Sequence, residues 1–187
     1  MYIEKINTPE DIKKYNINEL EVLAQELREA IINKVSDCGG HLASNLGIVE
    51  LTIALHYVFD APKDKFVFDV SHQTYCHKML TGRKAAFIKK ENYKDVTGFS
   101  NPKESEYDLF ALGHTSTSVS LACGLAKARD LKHDSENVIA VIGDASLDGG
   151  EAFEALNCAA EINSNLIVVI NDNEMSIPEN HGALGRH

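Results

Sequence analysis

At 187 residues, with 44% hydrophobic and 25% charged side chains, the chain is long enough to bury one sizeable core, and a domain over residues 1–187 is expected. Its 18 basic residues stand against 28 acidic ones, a formal charge of −10, which argues against nucleic acid or an anionic membrane as partner. No apolar stretch approaches the roughly 18 residues of a membrane span, and MYIEKINTPED carries no apolar signal core, so a cytoplasmic location is expected.

In chain order, Asn18 is read as the cap of a first helix, with Glu21 at the capping-box position and Leu20, Leu23, Ala24, Leu27 and Ile31 as its apolar stripe. That helix is expected to stop before Gly39-Gly40. HLASNLGIVELTIALHYVF reads as a second helix, with Leu46, Val49, Ile53 and Leu55 among its apolar positions. KFVFDV, residues 65–70, is a short β-rich run, and residues 84–107 are a mixed polar excursion. GHTSTSVSLACGLAKARDL reads as a polar loop opening a helix over 117–131. Cys38, Cys76, Cys123 and Cys158 form no C-x-x-C pair and are expected to be free thiols, mostly buried. His72, Cys76 and His77 have the spacing for part of a zinc site, but no second cluster completes four ligands.

The last third is the most legible. NVIAVI and NLIVVI are β-branched runs, and between them Gly149 to Glu161 places Ala152, Ala155, Leu156 and Ala159 at helical spacing. Strand, helix, strand at this length is a crossover unit that makes parallel neighbours, so the fold is read as α/β, a parallel sheet flanked by helices.

Both strands of that unit end in small, oxygen-bearing residues: Gly143-Asp144 after the first and Asn171-Asp172-Asn173 after the second. Ligands of parallel α/β sheets bind beyond the carboxyl ends of the strands, so the two clusters are expected to meet there. Carboxylate, amide and carbonyl oxygens suit a hard cation such as Mg²⁺, which keeps phosphate oxygens or waters among its ligands. Nearby glycines and a helix N-terminus would admit a diphosphate. Taken singly, Gly-Asp is a common loop opening; the matched pair around a crossover unit favours a metal–diphosphate clamp.

This pair resembles the thiamine-diphosphate motif, usually GDG followed by NDN. The segments GGHLASNLGIVELTIALHYVF, DKFVFDVSHQTYCHKMLTGR, ESEYDLFALGHTSTSVSLACGLAKARD and NDNEMSIPENHGAL resemble, in order and spacing, the N-terminal part of the 1-deoxy-D-xylulose-5-phosphate synthase family. That family is grouped with the transketolases, and the resemblance implies a transketolase-like thiamine-diphosphate-binding fold. It implies thiamine diphosphate and Mg²⁺ as cofactors, and pyruvate and glyceraldehyde 3-phosphate as substrates, with CO₂ released. Position by position, it makes Asp144, Asn173 and the carbonyl of Met175 the metal ligands. Gly113, His114, Thr115, Ala145, Ser146, His72 and Asn173 become cofactor contacts, and His41, His72 and His114 the catalytic histidines. His56, His77, His133 and His187 are read as surface or capping residues. The resemblance also implies the diphosphate half of a longer enzyme, a homodimer whose aminopyrimidine-activating glutamate and third domain lie outside this chain.

Three positions depart from the family pattern. Ala145 stands for the last glycine of GDG, Ser71 for the usual glycine before His72, and Asp148 for a more often neutral residue. They leave room for a paralogue with another acceptor or a non-catalytic domain. A Mg²⁺-dependent phosphoryl enzyme is disfavoured, since no G-x-x-x-x-G-K-[ST] loop occurs.

Overall fold

The computed structural model describes residues 1–172. They form two compact units: Met1–Pro62 with His72–Asp108, and Lys63–Ser71 with the chain from Leu109 onward. Among the described residues no helix is long and apolar enough to cross a membrane.

The first unit is helical. Its main helix, α1 (Ile17–Cys38), starts two residues earlier than the periodicity suggested. Asn16, not Asn18, is the cap: its side chain accepts from the Glu19 N–H at 3.1 Å, and the Glu19 carboxylate accepts the Asn16 N–H at 2.9 Å. The same capping-box spacing occurs at both asparagines, and the tertiary structure selects the earlier one. Leu23, Ala24, Leu27 and Ile31 turn inward as expected. Lys34 goes in with them, donating to the carbonyls of Ala86 and Tyr93 at 2.8 Å and lying 4.2 Å over the Phe87 ring. The helix stops at Gly39 (φ 76°) and Gly40 (φ 137°). The expected second helix is two, α2 (Leu42–Leu46) and α3 (Val49–Val58), broken at Gly47-Ile48. α4 (Tyr75–Lys78) and α5 (Ala85–Ile88) follow, bent apart where Gly82 takes φ 89°. Ile3, Ile6, Leu23, Leu27, Ile53, Met79, Leu80 and Phe87 share one apolar core.

The excursion from residue 84 is tied down by ion pairs. Asp108 accepts the N–H of Asn101 at 2.8 Å and both Arg83 Nη groups at 2.7 and 2.9 Å. Glu104 accepts the N–H of Thr97 at 2.7 Å and pairs with the buried Lys78. His56 and His77 are not surface or capping residues: both are buried and joined Nε2 to Nδ1 at 2.9 Å, and His77 Nε2 lies 3.1 Å from Asp108. Cys76 and Cys123 are buried, Cys38 and Cys158 exposed, and all four are free. Burial pushes the Cys76 thiol up, which keeps it protonated and a poor metal ligand. Among the described residues no His/Cys/Asp/Glu cluster of three could hold a metal, the zinc spacing at residues 72–77 included.

The second unit holds the sheet. β1 (Lys65–Phe68), β2 (Val138–Gly143) and β3 (Leu166–Asn171) lie side by side in that order, all parallel. Val138 to Ile142 are fully buried, as a central strand read as a continuous apolar run should be. α6 (Ser118–Lys132) packs on the sheet, and α8 (Gly150–Ile162) connects β2 to β3 and packs against α6. Val119, Ala122, Ala126, Ala140, Ala152 and Ala155 are small enough to bring these layers close. His133 caps α6 at φ 59°, as expected of it.

Candidate functional site

The carboxyl ends of the three strands carry the candidate site of the second unit. The last register pair of β2 and β3 is Gly143 with Asn171, so Asp144 and Asp172 each follow directly from neighbouring strand ends. A gap in sequence becomes adjacency because the crossover helix returns the chain in parallel. Asp144, Ala145 and Ser146 lie on a single helical turn, α7 (Asp144–Leu147). Ala145 is in right-handed helical backbone, away from the left-handed region. The alanine in the GDA motif therefore costs no strain. Asn173 and Met175 fall outside the described residues.

Beyond β1 the backbone turns sharply. Asp69 accepts the N–H of Ser71 across Val70, which has φ 56°, and Ser71 itself has φ 68°. A β-branched residue in that region is strained, and such strain gathers where a fold must re-aim its chain. The departure at Ser71 thus has a physical meaning: it puts a side chain where glycine sits at no cost. Ser71→Gly is expected to raise stability by about 0.5–1 kcal/mol, read as a higher urea midpoint. A lower midpoint would mean that the hydroxyl, 3.5 Å from the Leu112 carbonyl, outweighs the relief.

The Asp69 side chain holds the segment that carries Gly113, His114 and Thr115. Its two carboxylate oxygens accept the N–H groups of Ser116 and Ser118, each at 2.9 Å. Ser116 (φ 71°) donates its hydroxyl to the Ser146 carbonyl at 2.7 Å, which ties this loop to α7. Gly149 makes that approach possible, since a Cβ there would lie 2.0 Å from the Ser116 hydroxyl oxygen. Gly149 also starts α8 with no side-chain cap, leaving first-turn N–H groups for another acceptor. His114 is exposed, and its Nδ1 lies 2.8 Å from the Thr115 carbonyl. A carbonyl only accepts, so Nδ1 carries the hydrogen and, in the neutral ring, Nε2 carries the lone pair. Asp148 is exposed just beyond α7.

This donor set fits a hard cation with a phosphate ligand. It offers carboxylate, hydroxyl and carbonyl oxygens, uncapped amides at the start of α8, and no cluster of three metal-ligating side chains among the described residues. Oxygen donors of this kind suit Mg²⁺, which keeps phosphate oxygens or waters among its ligands.

His41 and His72 belong to the helical unit and are brought together there, edge to face with ring centroids 5.4 Å apart. Asn45, fully buried, donates to the carbonyls of both, at 2.6 and 2.8 Å.

A family model described as 1-deoxy-D-xylulose-5-phosphate synthase matches residues 3–187. The chain belongs to this family. It is 58% identical over 99% of its length to the 1-deoxy-D-xylulose-5-phosphate synthase of Carboxydothermus hydrogenoformans. It is 56% identical over 98% to that of Dictyoglomus turgidum, and 55% over 98% to that of Halothermothrix orenii. It spans about 30% of the length of these synthases.

Within this synthase-family chain, sequence reasoning missed Asp69, Ser116 and Asn45. Asp69 is the next-to-last residue of the run KFVFDV, but its partners lie 47 and 49 residues away. The signal available was a carboxylate at a strand's carboxyl end, the same signal that singled out Asp144.

Proposed function

We propose that this chain carries the Mg²⁺ and diphosphate half of a thiamine-diphosphate site. The polypeptide it belongs to joins pyruvate to glyceraldehyde 3-phosphate with loss of CO₂, giving 1-deoxy-D-xylulose 5-phosphate. The observation that carries this reading is the pairing of Gly143 with Asn171, from which Asp144 and the Asn-Asp-Asn run both continue. Family membership supports it, the relatives being named for that synthase.

Thiamine diphosphate, when bound, supplies the nucleophilic carbon and electron sink needed to decarboxylate pyruvate. The protein's own residues bind, orient and move protons. Asp144, with Asn173 and the Met175 carbonyl, would hold the cation. Ala145, Ser146 and the amides at the start of α8 would face the diphosphate, with Gly113, His114 and Thr115 on the loop tied by Asp69. His41, His72 and His114 would handle protons around the ring and the donor substrate, which imidazole suits near neutral pH. The same reading takes the polypeptide as a cytoplasmic homodimer.

Calorimetry on the full-length polypeptide tests it. Asp144→Ala should weaken Mg²⁺-dependent binding of thiamine diphosphate on the order of 100-fold, roughly 3 kcal/mol, because the cation that bridges protein and diphosphate loses the carboxylate that helps to neutralise it. Ala145→Gly should leave affinity unchanged, since no backbone strain is relieved there. Equal affinity in the Asp144 variant would remove this residue from the site.

A further inference from the structure

Around His41 the helical unit builds more than a scaffold. The buried amide of Asn45 makes three bonds, two donated to the carbonyls of His41 and His72 and one accepted from the Tyr75 N–H at 2.9 Å. Tyr75 then returns to His41 with its side chain. Its hydroxyl accepts the His41 backbone N–H at 3.3 Å and lies 3.4 Å from His41 Nδ1. Tyr75 is 4% exposed, and its ring rests on Phe87 at 5.5 Å between centroids. The GGH motif accommodates this: Gly40 has φ 137°, and a Cβ there would stand 2.7 Å from the Tyr75 hydroxyl.

A buried hydroxyl hydrogen needs an acceptor. Among the described residues the Tyr75 hydroxyl bonds only to the His41 backbone N–H, which is a donor, and to His41 Nδ1. Nδ1 is therefore the ring's lone-pair nitrogen, and the hydrogen of the neutral imidazole sits on Nε2.

We infer that Tyr75 is a positioning residue that locks His41 in the Nε2–H tautomer, so that His41 works as a hydrogen-bond donor toward a carbonyl or oxyanion. His114, with its hydrogen on Nδ1, offers the opposite capability at Nε2. The assignment of work to His41 rests on the function proposed above; the tautomer does not.

Nitrogen-15 two-bond correlation spectra of protein labelled in histidine, near pH 8, read the tautomer directly. The His41 signal is assigned by its loss in His41→Gln. The expected result is Nε2–H in the wild type, and a shift toward Nδ1–H in Tyr75→Phe, which keeps the ring on Phe87. An Nδ1–H form in the wild type, or no change in Tyr75→Phe, overturns the inference. In the full-length enzyme Tyr75→Phe should lower kcat roughly tenfold, part of what a proton-transferring group contributes, with the KM for pyruvate held within about twofold. Gly40→Ala, which displaces the same hydroxyl, should move the tautomer the same way. If the tautomer shifts as expected while turnover survives both Tyr75→Phe and His41→Gln, the functional reading of His41 fails and the tautomer assignment stands.

Discussion

Asp108→Ala should cost about 3–5 kcal/mol of stability, the range for leaving buried charge without its partner. The Asp108 carboxylate accepts from His77 Nε2, from both Arg83 Nη groups and from the Asn101 N–H. Burial by itself would raise its pKa; the bonds from His77 and Arg83 outweigh that and hold the carboxyl well below the usual range. Without it, Arg83 keeps, among the described residues, Thr81 at 2.8 Å and a long contact to Glu104 at 3.5 Å, and the Asn101 N–H loses its acceptor. Asp108→Asn keeps the shape and some of the bonds, so its loss should be smaller. Urea unfolding followed by circular dichroism measures both. A cost below about 1 kcal/mol for the alanine variant would put this network in the class of exposed ion pairs.

Lowering the pH from 6.5 to 5 should weaken the wild-type fold steeply. His56 and His77 are stacked at 5.1 Å between ring centroids, and both are buried. A carboxylate can only accept, so His77 Nε2 carries the hydrogen toward Asp108, its Nδ1 accepts, and His56 Nε2 donates. A second proton on His77 would meet that N–H head on. Burial holds both imidazoles below their ordinary value, His56 well below it, with the positive charges of Lys13 and Arg83 adding to the effect there. At His77, burial outweighs the opposing pull of Asp108, while Arg83 and Lys78 push the same way as burial. The unfolded chain takes up protons near pH 6.5 where the fold refuses them. Stability is fully present above that value and falls below it by up to about 1.4 kcal/mol per pH unit for each histidine. Asp108 acts in a separate window: its depressed pKa makes its contribution present above the ordinary carboxylate value, about 3.9, and lost only as pH falls further. Urea midpoints at pH 7.5, 6.0 and 5.0 measure the slope, and a flat profile would sink this account.

What could be read without coordinates follows from interactions that are local in the chain. The β-branched runs before Asp144 and Asp172, and the alanine spacing between them, specified a parallel crossover unit. The carboxyl-end rule then placed Gly143 beside Asn171, and their register pairing bears this out. His41, His72 and His114 entered through resemblance to a family whose membership the comparisons show.

Tertiary structure decided the rest, because those choices depend on partners far along the chain. Asn16 and Asn18 carry equivalent capping boxes, and packing chose the first. Nothing near His56 or His77 predicts that they bury against each other and against Asp108, 21 and 31 residues apart. Asp69 has no local signal that it will accept amides 47 and 49 residues on. Ser71 and Ala145 both replace a glycine of the family pattern, yet only Ser71 occupies left-handed backbone. Backbone angle is set by where the chain must go next, and at Ser71 that is a sharp turn beyond β1, whereas at Ala145 it is a turn of helix.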